Sequence, residues 1–116
     1  MSGDVLARHG IGQGDRSMID IVVVRVYLTE AEHKLAGVLK LLHDDSKVRG
    51  VTVFRGITGF GKSGKMHSSG LVDMSLDLPV VVEFFDEPEK VRGVITQLNR
   101  MIEPGHIVTW SAQMTE

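Results

Sequence analysis

The chain contains no cysteine. That absence removes disulfides, thiolate metal sites and cysteine nucleophiles together, and it fits a reducing compartment. Long apolar runs are also missing. No segment approaches the roughly 20 consecutive apolar residues of a membrane-spanning helix. The opening residues carry no apolar run after their charges, so no secretory signal is expected. Nor is there a strong charge of either sign. Thirteen Lys and Arg against fifteen Asp and Glu leave a formal net charge of −2, which argues against a general nucleic-acid binder but allows a local basic patch. The remaining composition is ordinary. With 42% hydrophobic and 24% charged residues in 116, the chain reads as one globular domain with a modest core, expected in the cytoplasm.

Residues 1–17 show no periodicity and hold Gly3, Gly10, Gly12 and Gly14. They are expected to form a flexible leader before a folded domain at 18–116. Met18 to Leu28 is rich in β-branched residues and reads as a strand. Val22, Val24, Val26 and Leu28 fall on one face, and Ile19, Ile21, Val23, Arg25 and Tyr27 on the other, so both faces are largely apolar and should be covered. Thr29-Glu30-Ala31-Glu32 matches a capping box, and Leu35, Val38, Leu39 and Leu42 follow at the spacing of one helix face. Val51–Ile57 is a second strand and Pro79–Phe85 a third, with proline at its start where no ladder bond is lost. Asp86 is the expected cap of a second helix, with Pro88 in its first turn and Glu89 three residues beyond the cap. That helix shows Val91, Val94, Ile95, Leu98 and Ile102 on one face and is expected to end at Pro104-Gly105. His106–Ala112 is a last strand.

The order β-α-β-β-α-β is that of a ferredoxin-like α+β fold, a four-stranded antiparallel sheet with two helices on one face. The other face would lie open in a monomer, yet Ile21, Val23, Tyr27, Val81 and Phe85 are available to it. A sheet apolar on both sides points to packing against further subunits. Arg25, Arg55 and Glu83 sit mid-strand within these apolar runs. An Arg–Glu–Arg row inside a subunit interface is expected, since buried charges need partners. The alternative is three charges on solvated strand edges.

Between the second and third strands lies a long loop with Gly56, Gly59, Gly61, Gly64 and Gly70, two lysines and a histidine. So long a connection in so small a domain is more often functional than not. Gly56-Ile57-Thr58-Gly59-Phe60-Gly61-Lys62-Ser63 satisfies the phosphate-loop pattern. That motif must open a helix whose N-terminus attracts the anion, and Gly64-Lys65-Met66-His67-Ser68-Ser69-Gly70 makes a poor helix. A phosphate-loop nucleoside triphosphatase is therefore not expected. The physical ingredients remain. Successive glycines can aim N–H groups inward as an anion nest, Lys62 and Lys65 add charge, and His67 can donate a proton or bind a metal. A solvated loop whose lysines face water is the alternative. None of His9, His33, His43, His67 and His106 has a partner at the spacing of a dedicated metal site. No Ser-His-Asp or paired-carboxylate constellation assembles. Asp73 and Asp77 read as loop residues before Leu78-Pro79 rather than an acid/base pair.

Several stretches together carry a resemblance. Arg25–Glu30 (RVYLTE), Thr52–Gly61 (TVFRGITGFG), His67 and Leu76–Glu83 (LDLPVVVE) look like the PII-like family catalogued as a domain of unknown function. The resemblance spans about residues 19–113. It implies kinship in fold with PII signalling proteins and divalent-cation-tolerance proteins, which are compact trimers with inward-facing sheets. It also implies an effector loop between the second and third strands, whose base borders an intersubunit cleft for adenine nucleotides. That loop would dock on a partner such as a membrane transporter or an enzyme. Members of the family are associated with small fluoride exporters, which suggests a transport role. Two departures from PII stand out. The turn Glu103-Pro104-Gly105-His106 is shorter than the phosphate-gripping turn of PII. The tyrosine that PII modifies in its loop is absent, Tyr27 being the only tyrosine, so uridylylation-type control is not expected.

The leading expectation is thus a non-enzymatic PII-like regulator, a homotrimer that binds a small anionic ligand, most plausibly an adenine nucleotide, between subunits. Its candidate ligand contacts are Arg55, Gly59, Phe60, Gly61, Lys62, Lys65 and His67, and its candidate interface residues are Arg25, Tyr27, Arg55 and Glu83. Loop 59–78 would act on the partner. No catalytic residue, required cofactor, resident metal, nucleic-acid partner or membrane insertion is expected. A divalent-metal-binding or tolerance protein using His67 with a carboxylate is the first alternative, and an enzyme acting on a phosphorylated small molecule the second.

Overall fold

The computed structural model describes residues 17–61, 64, 66–68 (backbone only) and 77–116. The expected leader, apart from Ser17, and loop positions 62–63, 65 and 69–76 lie outside the described residues. Strand β1 spans Met18–Thr29, β2 Gly50–Arg55, β5 Pro79–Asp86 and β6 Ile107–Thr115. They form a four-stranded antiparallel sheet in the order β2-β5-β1-β6. Each helical connection therefore skips over a central strand, which is the split βαβ arrangement that the element order implies.

The period-two pattern decides which side chains meet the helices. In β5, Val80, Val82, Phe84 and Asp86 are buried while the intervening residues are half-buried. In β1, Val24, Val26 and Leu28 face the same way. Helix α1 (Leu35–Lys40) with the wide π turn after it (Leu41–Asp45) supplies Val38, Leu41 and Leu42, and helix α2 (Pro88–Leu98) supplies Val91, Val94 and Leu98. These side chains fill a single core. Fully burying one such aliphatic or aromatic side chain stabilises the fold by about 1.5–3 kcal/mol.

Three local details differ from expectation. The capping glutamate is in place, since the Thr29 N–H donates to Glu32 Oε1 at 2.8 Å. It closes only one 3₁₀ turn, Glu30–Glu32, because His33 turns left-handed at φ 57°. Helix α1 begins two residues later, at Leu35. At the second helix, Glu87 rather than Asp86 occupies the cap position. Asp86 still follows the β5 alternation inward, pairing with Val22, so it belongs to the strand. Helix α2 also ends at Leu98, short of Pro104-Gly105. Turn-type bonds from Arg100, Met101 and Ile102 continue the chain and leave Ile102 buried against the core.

The long loop contains structure of its own. Strand β3 (Thr58–Phe60) pairs antiparallel with β4 (Met66–Ser68). Gly64 at φ 79° and a Gly64 N–H bond to the Gly61 carbonyl at 2.9 Å form part of the turn. A strand, not a helix, thus follows the Gly-Lys-Ser stretch, so the phosphate-loop pattern lacks the helix N-terminus on which its chemistry depends.

Candidate functional site

The root of the loop is built where β2 ends and β5 begins. Gly56 donates its N–H to the Pro79 carbonyl at 2.8 Å. A Cβ at Gly56 would come within 2.8 Å of Pro79 Cγ, so the close approach of these two chain segments requires glycine there. The 3₁₀ turn after β1 forms the floor. Glu30 donates its N–H to the Leu78 carbonyl at 3.0 Å, and the Ala31 N–H donates to Asp77 Oδ1 at 2.8 Å. Asp77 is therefore a capping acceptor for the turn, in keeping with its reading as a loop residue. Arg55, the last residue of β2, pairs through its guanidinium with the Glu30 carboxylate. Both ends of the loop are thus tied to one turn, the outgoing end by an ion pair and the returning end by two hydrogen bonds.

Gly59 and Phe60 lie in β3, with Gly59 opposite His67 of β4. Gly61 leaves the hairpin with open space around it. Gly59 is thus a paired strand residue. Ile57 and Phe60 are 78% and 69% exposed. Lys62 and Lys65 lie outside the described residues. Arg55, Gly59, Phe60 and Gly61 fall along the outgoing arm from the root, and His67 returns beside Gly59 in backbone register.

The expected Arg–Glu–Arg row is corrected to a pair. Arg25 and Glu83 are cross-strand partners and their side chains meet at Nε–Oε1 2.8 Å. The Glu83 carboxylate, with the Tyr27 side chain second, raises the Arg25 pKa above its ordinary value. Arg55 is opposite Val80, which places it on the helix-facing side of the sheet, and it reaches Glu30 instead. The Arg25 guanidinium also lies 5.7 Å from the ring centres of both Phe54 and Trp110, a cation–π geometry. Around this pair Tyr27, Phe54, Val108 and Trp110 are 40–46% exposed. Ile21, expected on the same outer face, is already buried within the chain.

A second charged cluster was not anticipated. Asp86 accepts the Glu87 N–H at 2.8 Å and the Arg49 N–H at 3.1 Å, with Arg49 Nε and Lys90 Nζ each 3.5 Å from its oxygens. Lys47, Glu87 and Glu89 complete a shallow cleft around it. The signal available in the sequence was the alternation Val80-Val82-Phe84-Asp86, which carries a carboxylate into a buried register. Among the described residues no group of three or more His, Asp or Glu is arranged to hold a metal ion.

A family model matches residues 21–114: DUF190, described as "Uncharacterized ACR". The chain belongs to the DUF190 family. Its relatives include a UPF0166 protein of Aquifex aeolicus, 36% identical over 76 residues that cover 66% of this chain and 77% of that one. Another is a UPF0166 protein of Methanocaldococcus jannaschii, 28% identical over 97 residues covering 78% of this chain and 87% of that one. The DUF190 fold is also similar to solved structures of CPII, a nitrogen regulatory PII-like protein from Thiomonas intermedia K12. The form bound to ADP, AMP and bicarbonate aligns with TM-score 0.64 at 18% identity, over 86% of this chain and 91% of that one. The apo form aligns with TM-score 0.58 at 13% identity, over 88% and 97%. At such identities the likeness is one of fold, so this DUF190 chain has a PII-like fold.

Proposed function

We propose that this protein is a PII-like regulator: a cytoplasmic homotrimer that binds an adenine nucleotide in clefts between subunits and acts on a partner through loop 59–78. The observation that carries the reading is the loop root. There a PII-like sheet joins an arginine, a glycine-rich hairpin and both ends of an effector-type loop to one 3₁₀ turn. One solved CPII form of similar fold was bound to ADP, AMP and bicarbonate, and a common fold makes a common site a reasonable starting point.

The outer sheet face supports assembly. Phe54, Trp110, Val108 and Tyr27 form an apolar surface centred on one ion pair, the composition of an interface core rather than of a solvated face. The candidate nucleotide contacts are Arg55, Gly59, Phe60, Gly61, Lys62, Lys65 and His67, because backbone amides and cations are the groups that bind phosphate oxygens. The partner, a membrane ion transporter by family resemblance, would meet the exposed Ile57 and Phe60 at the hairpin. Ligand binding alters partner affinity only as far as it favours one loop state over another. Calorimetric titration with ATP, ADP, AMP and cyclic nucleotides, on protein whose mass has been checked by sedimentation, tests the reading. Saturable binding of one of them is expected. No heat from any of them on the folded trimer would refute it.

A further inference from the structure

We infer that Glu30 is the affinity-setting residue of the loop-root anion site, because its carboxylate occupies the arginine that an incoming phosphate would use. This rests on the reading of the loop root as an anion site. Three arginines in or next to the sheet have described carboxylate partners, and they differ in kind. Arg25 is held by Glu83 on the outer face between two aromatic rings. Arg49 is committed to Asp86 and Glu87 beside the core. Arg55 ends β2 at the loop root with its side chain 61% exposed, and its partner comes from the turn beneath.

An arginine fork suits phosphate and carboxylate oxygens alike. The anion at the root must therefore displace Glu30 or bind around it. The displacement leaves the floor intact, because Glu30 and Ala31 hold the returning end of the loop through their backbone N–H groups, to the Leu78 carbonyl and Asp77 Oδ1. Exchange of Glu30 for a ligand phosphate thus frees the Arg55 side chain from the turn, while the Gly56 N–H bond to the Pro79 carbonyl keeps the two ends of the loop together. Glu30 also carries a charge of the same sign as the ligand, so it opposes binding both as a competitor for Arg55 and by repulsion.

The test is a calorimetric cycle with ADP on the intact protein: wild type, Glu30→Gln, Arg55→Gln and the double variant, with Glu89→Gln as a charge control. Glu89 is at the solvated start of α2, paired with Arg92. Removing the competitor should tighten ADP about five- to tenfold, the sum of one lost surface ion pair and one relieved repulsion. The gain should vanish in the Arg55→Gln background, and Glu89→Gln should leave the affinity within about twofold. If wild type binds ADP and Glu30→Gln binds it no more tightly, the competitor role is overturned while the nucleotide reading stands. The role is equally overturned if the gain persists without Arg55 or is matched by Glu89→Gln. If Glu30→Gln alone binds ADP, both hold. If neither binds ADP, the competitor role fails, and the nucleotide reading fails with it when ATP, AMP and cyclic nucleotides also give no heat.

Discussion

Replacing Asp86 with alanine should destabilise the fold by about 2–4 kcal/mol, chiefly because two backbone N–H groups lose their acceptor. The magnitude follows from what the carboxylate holds. Its side chain is only 5% exposed, and it accepts the N–H groups of Glu87 and Arg49 at 2.8 and 3.1 Å. Each N–H left without an acceptor costs about 1–3 kcal/mol. The ammonium of Lys90 and the guanidinium of Arg49 are each 3.5 Å away and about two-fifths exposed, so they can turn to water, and losing them adds at most about 1 kcal/mol. Against a typical total stability of about 5–15 kcal/mol the loss is large. Urea unfolding followed by circular dichroism reads it, with Asp86→Asn falling in between because it keeps one acceptor oxygen. Since Asp86 is here a staple joining β2, β5 and α2 rather than part of a ligand site, ADP affinity measured well below the unfolding transition should not change. A stability loss under about 1 kcal/mol, or a lost ADP site in a folded variant, would refute this reasoning.

Other outcomes follow from the same geometry. Glu83→Ala leaves Arg25 facing Phe54 and Trp110 without a carboxylate, so sedimentation at micromolar concentration should show a shift from trimer toward monomer. An unchanged mass would mean that the pair is not part of the interface. Gly56→Ala drives a methyl to within 2.8 Å of Pro79 Cγ and should cost about 1–3 kcal/mol by thermal or urea unfolding, the range for overpacking a tight contact.

Much of the scaffold was legible because alternation and capping are local signals. The β-branched runs of β1 and β5 gave both strands and their helix-facing residues, and the element order then implied the sheet order. The misses have local causes too. The Thr29–Glu32 box was real but served a single 3₁₀ turn, since nothing in the pattern announced the left-handed His33. Asp86 was assigned to the helix cap because aspartate favours caps, yet the strand period carried it inward. Arg55 shares its parity with Val51 and Val53, so the same period would have separated it from Glu83. The β3–β4 pairing, flanking Gly61–Lys65, is too short for a periodicity signal. The Glu30–Arg55 contact joins residues brought together only by the crossover, beyond the reach of any local pattern.

The most direct test of the central claim is a crystal structure of the intact protein grown with ADP. The account predicts nucleotide bound between two protomers of a trimer, its phosphates at the root beside Arg55 and Gly61, with Arg55 turned from Glu30 toward the ligand. Nucleotide held wholly within one protomer, for example in the Lys47–Arg49–Lys90 cleft, or a trimer that crystallises with ADP yet leaves the root empty, would contradict it.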